Sequence, residues 1–166
     1  MPKLLEYQGK KLLASLGVAV PEGNIATTPE EIRAIAQKLK RPVVIKAQVG
    51  ITGRAQAGGI KFADSASAAE KAARELLGKD IKGQKVEKVL VEEKLDIARE
   101  FYASVIVNDS YKVKGPVIMF STRGGTGIEE IAAQFPETIT SQNMDILSGL
   151  SPDEAKEIVS RLNVAK

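Results

Sequence analysis

The sequence predicts an α+β fold in two lobes, and three observations carry that expectation. Helix-start signals recur beside amphipathic stretches: Thr28-Pro29-Glu30-Glu31 and Ser151-Pro152-Asp153-Glu154 each put a hydroxyl before a proline and an acid at the third helical position. Short runs rich in β-branched residues, such as RPVVIKAQ, read as strands. The stretch REFYASVIVNDSYKVKGPVIMFST reads as two long strands around a turn at Asn108-Asp109-Ser110, a hairpin rather than a parallel crossover.

Each element has its own signal. Leu4, Leu5, Leu12, Leu13 and Leu16 lie on one helical stripe, and Gly17 ends that helix. VAVPEGNIAT is extended. Thr28 opens a second helix whose apolar face is Ile32, Ile35, Ala36 and Leu39. RPVVIKAQ and GGIKFAD are short strands. Asp64 or Ser65 caps an alanine-rich helix to about Leu77, and Gly78 stops it. KVEKVLVEEKL alternates as a half-buried strand does. Gly124, Gly125 and Gly127 form a flexible loop, IEEIAAQF continues as a helix, and Ser151 starts the last one. The expected division is a first lobe over residues 1–90 and a second over 91–166, joined through VLVEEKL as a hinge strand.

Composition narrows the chemistry. The 166 residues, 43% of them hydrophobic, suffice for one ordinary core or two small lobes. Twenty-four basic against 21 acidic side chains leave a net charge of +3, which suits an anionic small ligand without specifying nucleic acid. Aromatic residues are 4%, too few for base-stacking platforms. There is no cysteine and no histidine, which excludes a thiolate nucleophile, a Ser-His triad and a His-ligated metal within this chain. No apolar run approaches about 20 residues, so no membrane span is expected. The N-terminus is too polar for a secretory signal, which points to a cytoplasmic protein, or a cytoplasmic-type one with its targeting segment removed.

Four features carry candidate chemistry. Lys46 closes an apolar strand. It reads either as a snorkelling lysine or as a cation held on a rigid element to meet phosphate oxygens. The loop from Gly50 to Gly59 has little side-chain bulk and one arginine, Arg54. It reads as a mobile hairpin loop or as an anion-binding concavity, and its spacing fits neither a Walker A motif nor GxGxxG. VLVEEKLD has a strand ending in Glu92-Glu93, with Glu100 beyond. Such residues read as a solvated face, or as a hinge whose backbone meets adenine and whose carboxylates meet ribose. The glycines of STRGGTGIEEI read as a strand-to-helix turn or as an anion site before a helix. The pairs Glu30-Glu31 and Glu129-Glu130 read as surface.

Four blocks, LEYQGKKLLASLGVAVPEG, VVIKAQVGITGRAQAGGIKF, VLVEEKLDIAREFYASVIVNDS and STRGGTGIEEIAAQFPETI, together resemble the β subunits of succinyl-CoA synthetase (succinate–CoA ligase) in order and spacing. These belong to the ATP-grasp group of NDP-forming acyl-CoA synthetases. The resemblance runs from about residue 3 to beyond residue 140. It implies an ATP-grasp fold holding ATP or ADP between two lobes. The implied reaction joins an acid and CoA at the expense of a nucleoside triphosphate. Phosphate is relayed through a histidine on a partner α subunit that also carries the CoA site, and the histidine-free composition agrees with that division.

By position, the resemblance implies that Lys46 binds phosphate and that Gly53, Arg54 and Ala55 form the phosphate loop. Glu92 and Leu95 fall at the adenine hinge, and Glu100 on the ribose side. No catalytic residue and no metal ligand is expected in this chain. The family's Mg²⁺ ligands and the remaining C-terminal part of the β subunit are expected beyond residue 166, so the chain reads as a fragment or as one piece of a split subunit. Departures from the family pattern are Ala55 for a glycine, Gln56 for a lysine, Gly50 for a histidine and Arg123 for an acid. A malate– or citrate–CoA ligase subunit, or a non-catalytic nucleotide-binding module, are the rival readings. Adenine is expected over guanine, because EEKLD offers no reader of guanine O6 unless Lys94 serves.

Overall fold

The computed structural model describes residues 3–109, 114–125 and 128–164. The chain divides into two compact units, residues 1–96 and 97–166. The division follows Asp96 rather than residue 90. The hinge strand is part of the first unit's sheet, so a boundary after residue 90 would cut through it.

The first unit is built on four strands: β1 (Gly23–Ala26), β2 (Val43–Ala47), β3 (Ile60–Ala63) and β6 (Val89–Glu93). They pair antiparallel in the order β1-β6-β2-β3. A small hairpin, β4 (Asp80–Ile81) with β5 (Gln84–Lys85), forms a separate two-stranded sheet whose Ile81 joins the core, and its strands are too short to be legible in the sequence. Helices α2 (Pro29–Leu39) and α3 (Ala66–Leu76) cover one face. Val43, Ile45, Ala47, Val89 and Val91 point into that layer and meet Ile32, Ala69, Ala73 and Leu76 in the core. The alanines of α3 let its backbone approach the sheet closely, and apolar burial of this kind holds the unit together.

Both helices start as their sequences require. The Thr28 hydroxyl accepts from the Glu31 N–H at 3.2 Å, and Glu31 reaches back to the Thr27 and Thr28 N–H groups. Of the two candidate caps for α3, Ser65 is the one used.

β6 corrects one expectation. The alternation of KVEKVLVEEKL predicts a half-buried strand, yet Val89 through Glu92 are all buried. A central strand flanked by β1 and β2 has no open edge, and the first helix covers part of its second face. That helix, α1 (Glu6–Ser15), is tied down at its start, where the Tyr7 N–H donates to Gln48 Oε1 at 3.2 Å. Its leucine stripe does not enter the core: Leu12, Leu13 and Leu16 are exposed, as is Leu4 before it.

The second unit has three antiparallel strands, β7 (Tyr102–Asp109), β8 (Lys114–Ser121) and β9 (Ile139–Asn143), in that order. Helices α4 (Ile128–Gln134) and α5 (Pro152–Ser160) complete it, with a 3₁₀ turn at Pro136–Thr138. β7 and β8 form the expected hairpin, in register from Tyr102↔Ser121 to Asp109↔Lys114, so Asn108 and Asp109, expected in the turn, are paired strand residues instead. Ser110, at the expected turn, and Gly127, in the expected glycine loop, lie outside the described residues. Ser151 caps α5 as anticipated, its hydroxyl accepting from the Glu154 N–H at 3.3 Å. Phe101 stacks on Phe120 with centroids 5.8 Å apart, and the Arg123 guanidinium lies 3.8 Å from the Phe135 ring centroid.

Candidate functional site

Strand alternation decides where Lys46 goes. Val43, Ile45 and Ala47 face the helical core, so Val44 and Lys46 face the other side of the sheet. The register pairs Val44 with Glu92 and Lys46 with Leu90, which puts Glu92 on that same side. The Lys46 ammonium is hydrogen-bonded to Glu92 and meets Glu6 Oε1 at 3.1 Å. Lys46 keeps 20% of its side-chain surface open, whereas Glu92 keeps 2%.

A carboxylate that deep is tolerated only with charged partners. Glu92 has two, because Lys10 Nζ on α1 also reaches its Oε1 at 2.7 Å. Burial lowers the Lys10 amine below its ordinary value. The Glu92 hydrogen bond opposes that, and the nearby Lys46 charge adds to the lowering.

The loop between β2 and β3 is a closed turn rather than a splayed one. Gly58 and Gly59 donate to the carbonyls of Ala55 and Arg54 at 3.0 and 2.7 Å, and Ala57 donates to Gly53 at 3.2 Å. Gly53 sits at φ +71°, a conformation that favours glycine. At Gly59 a Cβ would come within 2.9 Å of both Arg54 O and Ile81 Cδ1, so the loop closes only around a bare backbone there.

The turn brings Arg54 back over the sheet. Its Nη1 donates to Ala47 O at 3.1 Å, and its Nη2 pairs with Glu6. Burial lowers the Arg54 pKa and the Glu92 charge opposes that, but a guanidinium stays protonated regardless.

Lys46, Arg54 and Glu92 therefore converge, with the Gly53 turn beside them. Ala55 is exposed on that turn. Leu95 follows β6 and is exposed. Glu100 belongs to the second unit, where its carbonyl accepts from the Gly124 N–H at 3.0 Å. A Cβ on Gly124 would lie 2.7 Å from that of Glu100, which accounts for a glycine at this point of the STRGG loop.

Two members of the cluster, Glu6 and Lys10, were not singled out from sequence. Their only local signal is i,i+4 spacing, which ordinarily marks a solvated helix face. Their partners lie 40 to 82 positions away. Adjoining the cluster is a hollow of about 420 Å³, walled by Tyr7, Val20, Pro21, Ile25, Leu90 and Glu92. Three cations held on α1, β2 and the β2–β3 turn, with Lys10 and Glu92 lining the hollow, are the groups that an anion carrying an organic group would need. Among the described residues, no group of three or more His, Cys, Asp or Glu side chains could hold a metal ion. No described helix is long and apolar enough to cross a membrane.

A family model for the ATP-grasp domain matches residues 3–166. The chain is 48% identical over 158 residues to the β subunit of a GDP-forming succinate–CoA ligase from Thermus thermophilus, covering 95% of this chain and 41% of that one. It is 45% identical to an ADP-forming counterpart from Deinococcus deserti, covering 96% and 41%. The chain thus spans about two fifths of the length of these relatives. Among solved structures it resembles a dinucleotide-forming acetyl-coenzyme A synthetase of Ca. Korarchaeum cryptofilum, with a TM-score of 0.76 at 22% identity over 98% of this chain and 70% of that one. It also resembles an ATP citrate lyase of Methanothrix soehngenii, with a TM-score of 0.63 at 22% identity over 96% and 42%. At such identities the likeness is one of fold.

Proposed function

The chain belongs to the ATP-grasp family, and on that premise we propose that it is the nucleotide-binding portion of an NDP-forming acid–CoA ligase β subunit of the succinate–CoA ligase type. The observation that carries the reading is the convergence of Lys46 and Arg54 on Glu6, in a cluster whose Lys10 and Glu92 line the hollow. In this reading Lys46 and Arg54 take the phosphate chain. The Gly53-Arg54-Ala55 turn fixes the approach of the guanidinium, and Glu92 holds Lys46 at its strand end. The base enters the hollow next to Glu92. Leu95 belongs to the same hinge, and Glu100 serves the ribose.

Phosphoryl transfer asks the protein chiefly for positioning and for stabilisation of charge on the phosphoryl oxygens, and two cations on a strand and a braced loop supply both. In this reading the phosphorylated histidine and the CoA site belong to a partner α subunit, and the histidine-free composition agrees with that. The rest of the β subunit is a second partner, and the setting is the cytoplasm. Magnesium belongs to the complete enzyme. Among the described residues, no group of three or more His, Cys, Asp or Glu side chains could hold it.

Adenine is the proposed base. Lys94, the one hinge side chain suited to guanine O6, lies 5.6 Å from the Phe62 ring centroid in a cation–π contact. Parallel calorimetric titrations of ADP, GDP and adenosine test the reading. ADP is expected to bind more tightly than GDP and far more tightly than adenosine. Equal affinity for ADP and adenosine would remove the phosphate role, and a clear GDP preference would overturn the choice of base.

A further inference from the structure

Glu6 bridges the two cations assigned to phosphate. Its Oε1 meets Lys46 Nζ at 3.1 Å and Lys10 Nζ at 3.2 Å, and its Oε2 pairs with Arg54. Glu92 is different in kind. It is buried in the sheet, supports Lys46 from the strand side and is walled in by two lysines. Glu6 comes from α1, and it divides its two oxygens between the pair, Oε1 to Lys46 and Oε2 to Arg54. Three cations, Lys10, Lys46 and Arg54, face two carboxylates, so the closed cluster carries one net positive charge. A diphosphate cannot join that arrangement without placing its oxygens against the Glu6 carboxylate.

We propose that Glu6 is an internal counter-anion that occupies the phosphate position on Lys46 and Arg54 and must be displaced by the incoming phosphate chain. This rests on the nucleotide-binding reading above. Glu6 keeps the two cations from repelling each other when the site is empty, and it sets a threshold. A ligand that offers two or more phosphoryl groups replaces its contacts with both Lys46 and Arg54, whereas a small anion that replaces one does not. Binding energy is reduced by the exchange, and selectivity against single anions is gained.

Glu6→Gln tests this. The amide keeps the shape and length of the side chain but removes the charge that competes. Charge-assisted hydrogen bonds at partly open sites set the scale, and ADP is expected to bind about three- to tenfold more tightly to Glu6→Gln than to the parent. Adenosine affinity is expected to stay the same, a split that a purely structural role for Glu6 would not produce. Glu70→Gln removes a carboxylate that pairs with Arg33 and Arg74 in the same unit. It is expected to leave ADP affinity unchanged, because bulk charge is screened at physiological salt.

Melting temperatures of all three proteins verify folding, and Glu6→Ala serves if the glutamine variant is unstable. ADP binding to a Glu6 variant but not to the parent also supports the proposal. ADP binding to the parent with equal or weaker binding to the folded Glu6 variants overturns it and leaves the nucleotide-binding reading intact. Absence of ADP binding in parent and variants alike overturns both.

Discussion

At the scale of single residues, the site rests on side chains whose environment is set by strand parity. Lys46 faces away from the core because Val43, Ile45 and Ala47 take the inward positions, and that much was legible in VVIKA. Its choice between a snorkelling lysine and a ligand-binding one was not, because nothing local says that Glu92 lies directly across from Val44. Glu6 and Lys10 were invisible for the same reason. Glu92 is the residue on which the cluster depends, since its carboxylate holds two ammonium groups in a nearly closed setting. Glu92→Gln is expected to lower stability in urea unfolding by about 2–4 kcal/mol, near the lower end because both ammoniums reach solvent. An unchanged midpoint would mean that the lysines are held by solvent and Glu6 alone.

At the scale of elements, the local signals transferred well and the long-range ones did not. The Thr28 and Ser151 capping boxes span three residues and were readable in full. β9, with the sequence ITSQN, has no apolar alternation, and only its pairing with β8 makes it a strand. The leucines of α1 have a helical period but no partner face within the first unit. Periodicity reports a helix without reporting what covers it.

The α2 cap also carries a pH dependence. The Thr27 N–H and hydroxyl, with the Thr28 N–H, hold the Glu31 carboxyl below its ordinary pKa. A carboxylate whose folded pKa is depressed contributes stability above its unfolded pKa of about 4.3 and loses it as pH falls through the folded value. Glu31→Gln is therefore expected to be less stable than the parent at pH 7. The gap should close as pH falls below about 4, as followed by thermal melts across pH. A gap that is constant with pH would show that the charge of Glu31 plays no part in the cap.

At the scale of the whole molecule, the family and its α+β character were legible because four blocks occur in order across most of the chain. The boundary between the units was not, because VLVEEKL is both a connector and a central strand. Apolar surface stays open on α1 and on β7, where Val105, Ile106 and Val107 are exposed. In the proposed reading such faces meet the rest of a longer assembly. The same reading expects no turnover from this 166-residue chain alone with ATP, CoA and succinate, because it has no histidine to carry the phosphoryl group. Acyl-CoA formation by the purified chain would contradict the assigned division of labour.

The most direct test of the central claim is the ADP affinity of Lys46→Met, with adenosine as the control. Methionine keeps most of the apolar stem against the sheet and removes only the ammonium. A charge-assisted contact is worth roughly 1.5–3 kcal/mol, so ADP is expected to bind about tenfold to a hundredfold more weakly. Adenosine binding is expected to change little, and the fold is expected to survive with a lowered melting temperature, because Glu92 loses one of its two ammonium partners and keeps Lys10. Unchanged ADP affinity, or an equal loss of ADP and adenosine binding with a large drop in melting temperature, would make Lys46 a structural lysine and contradict the account.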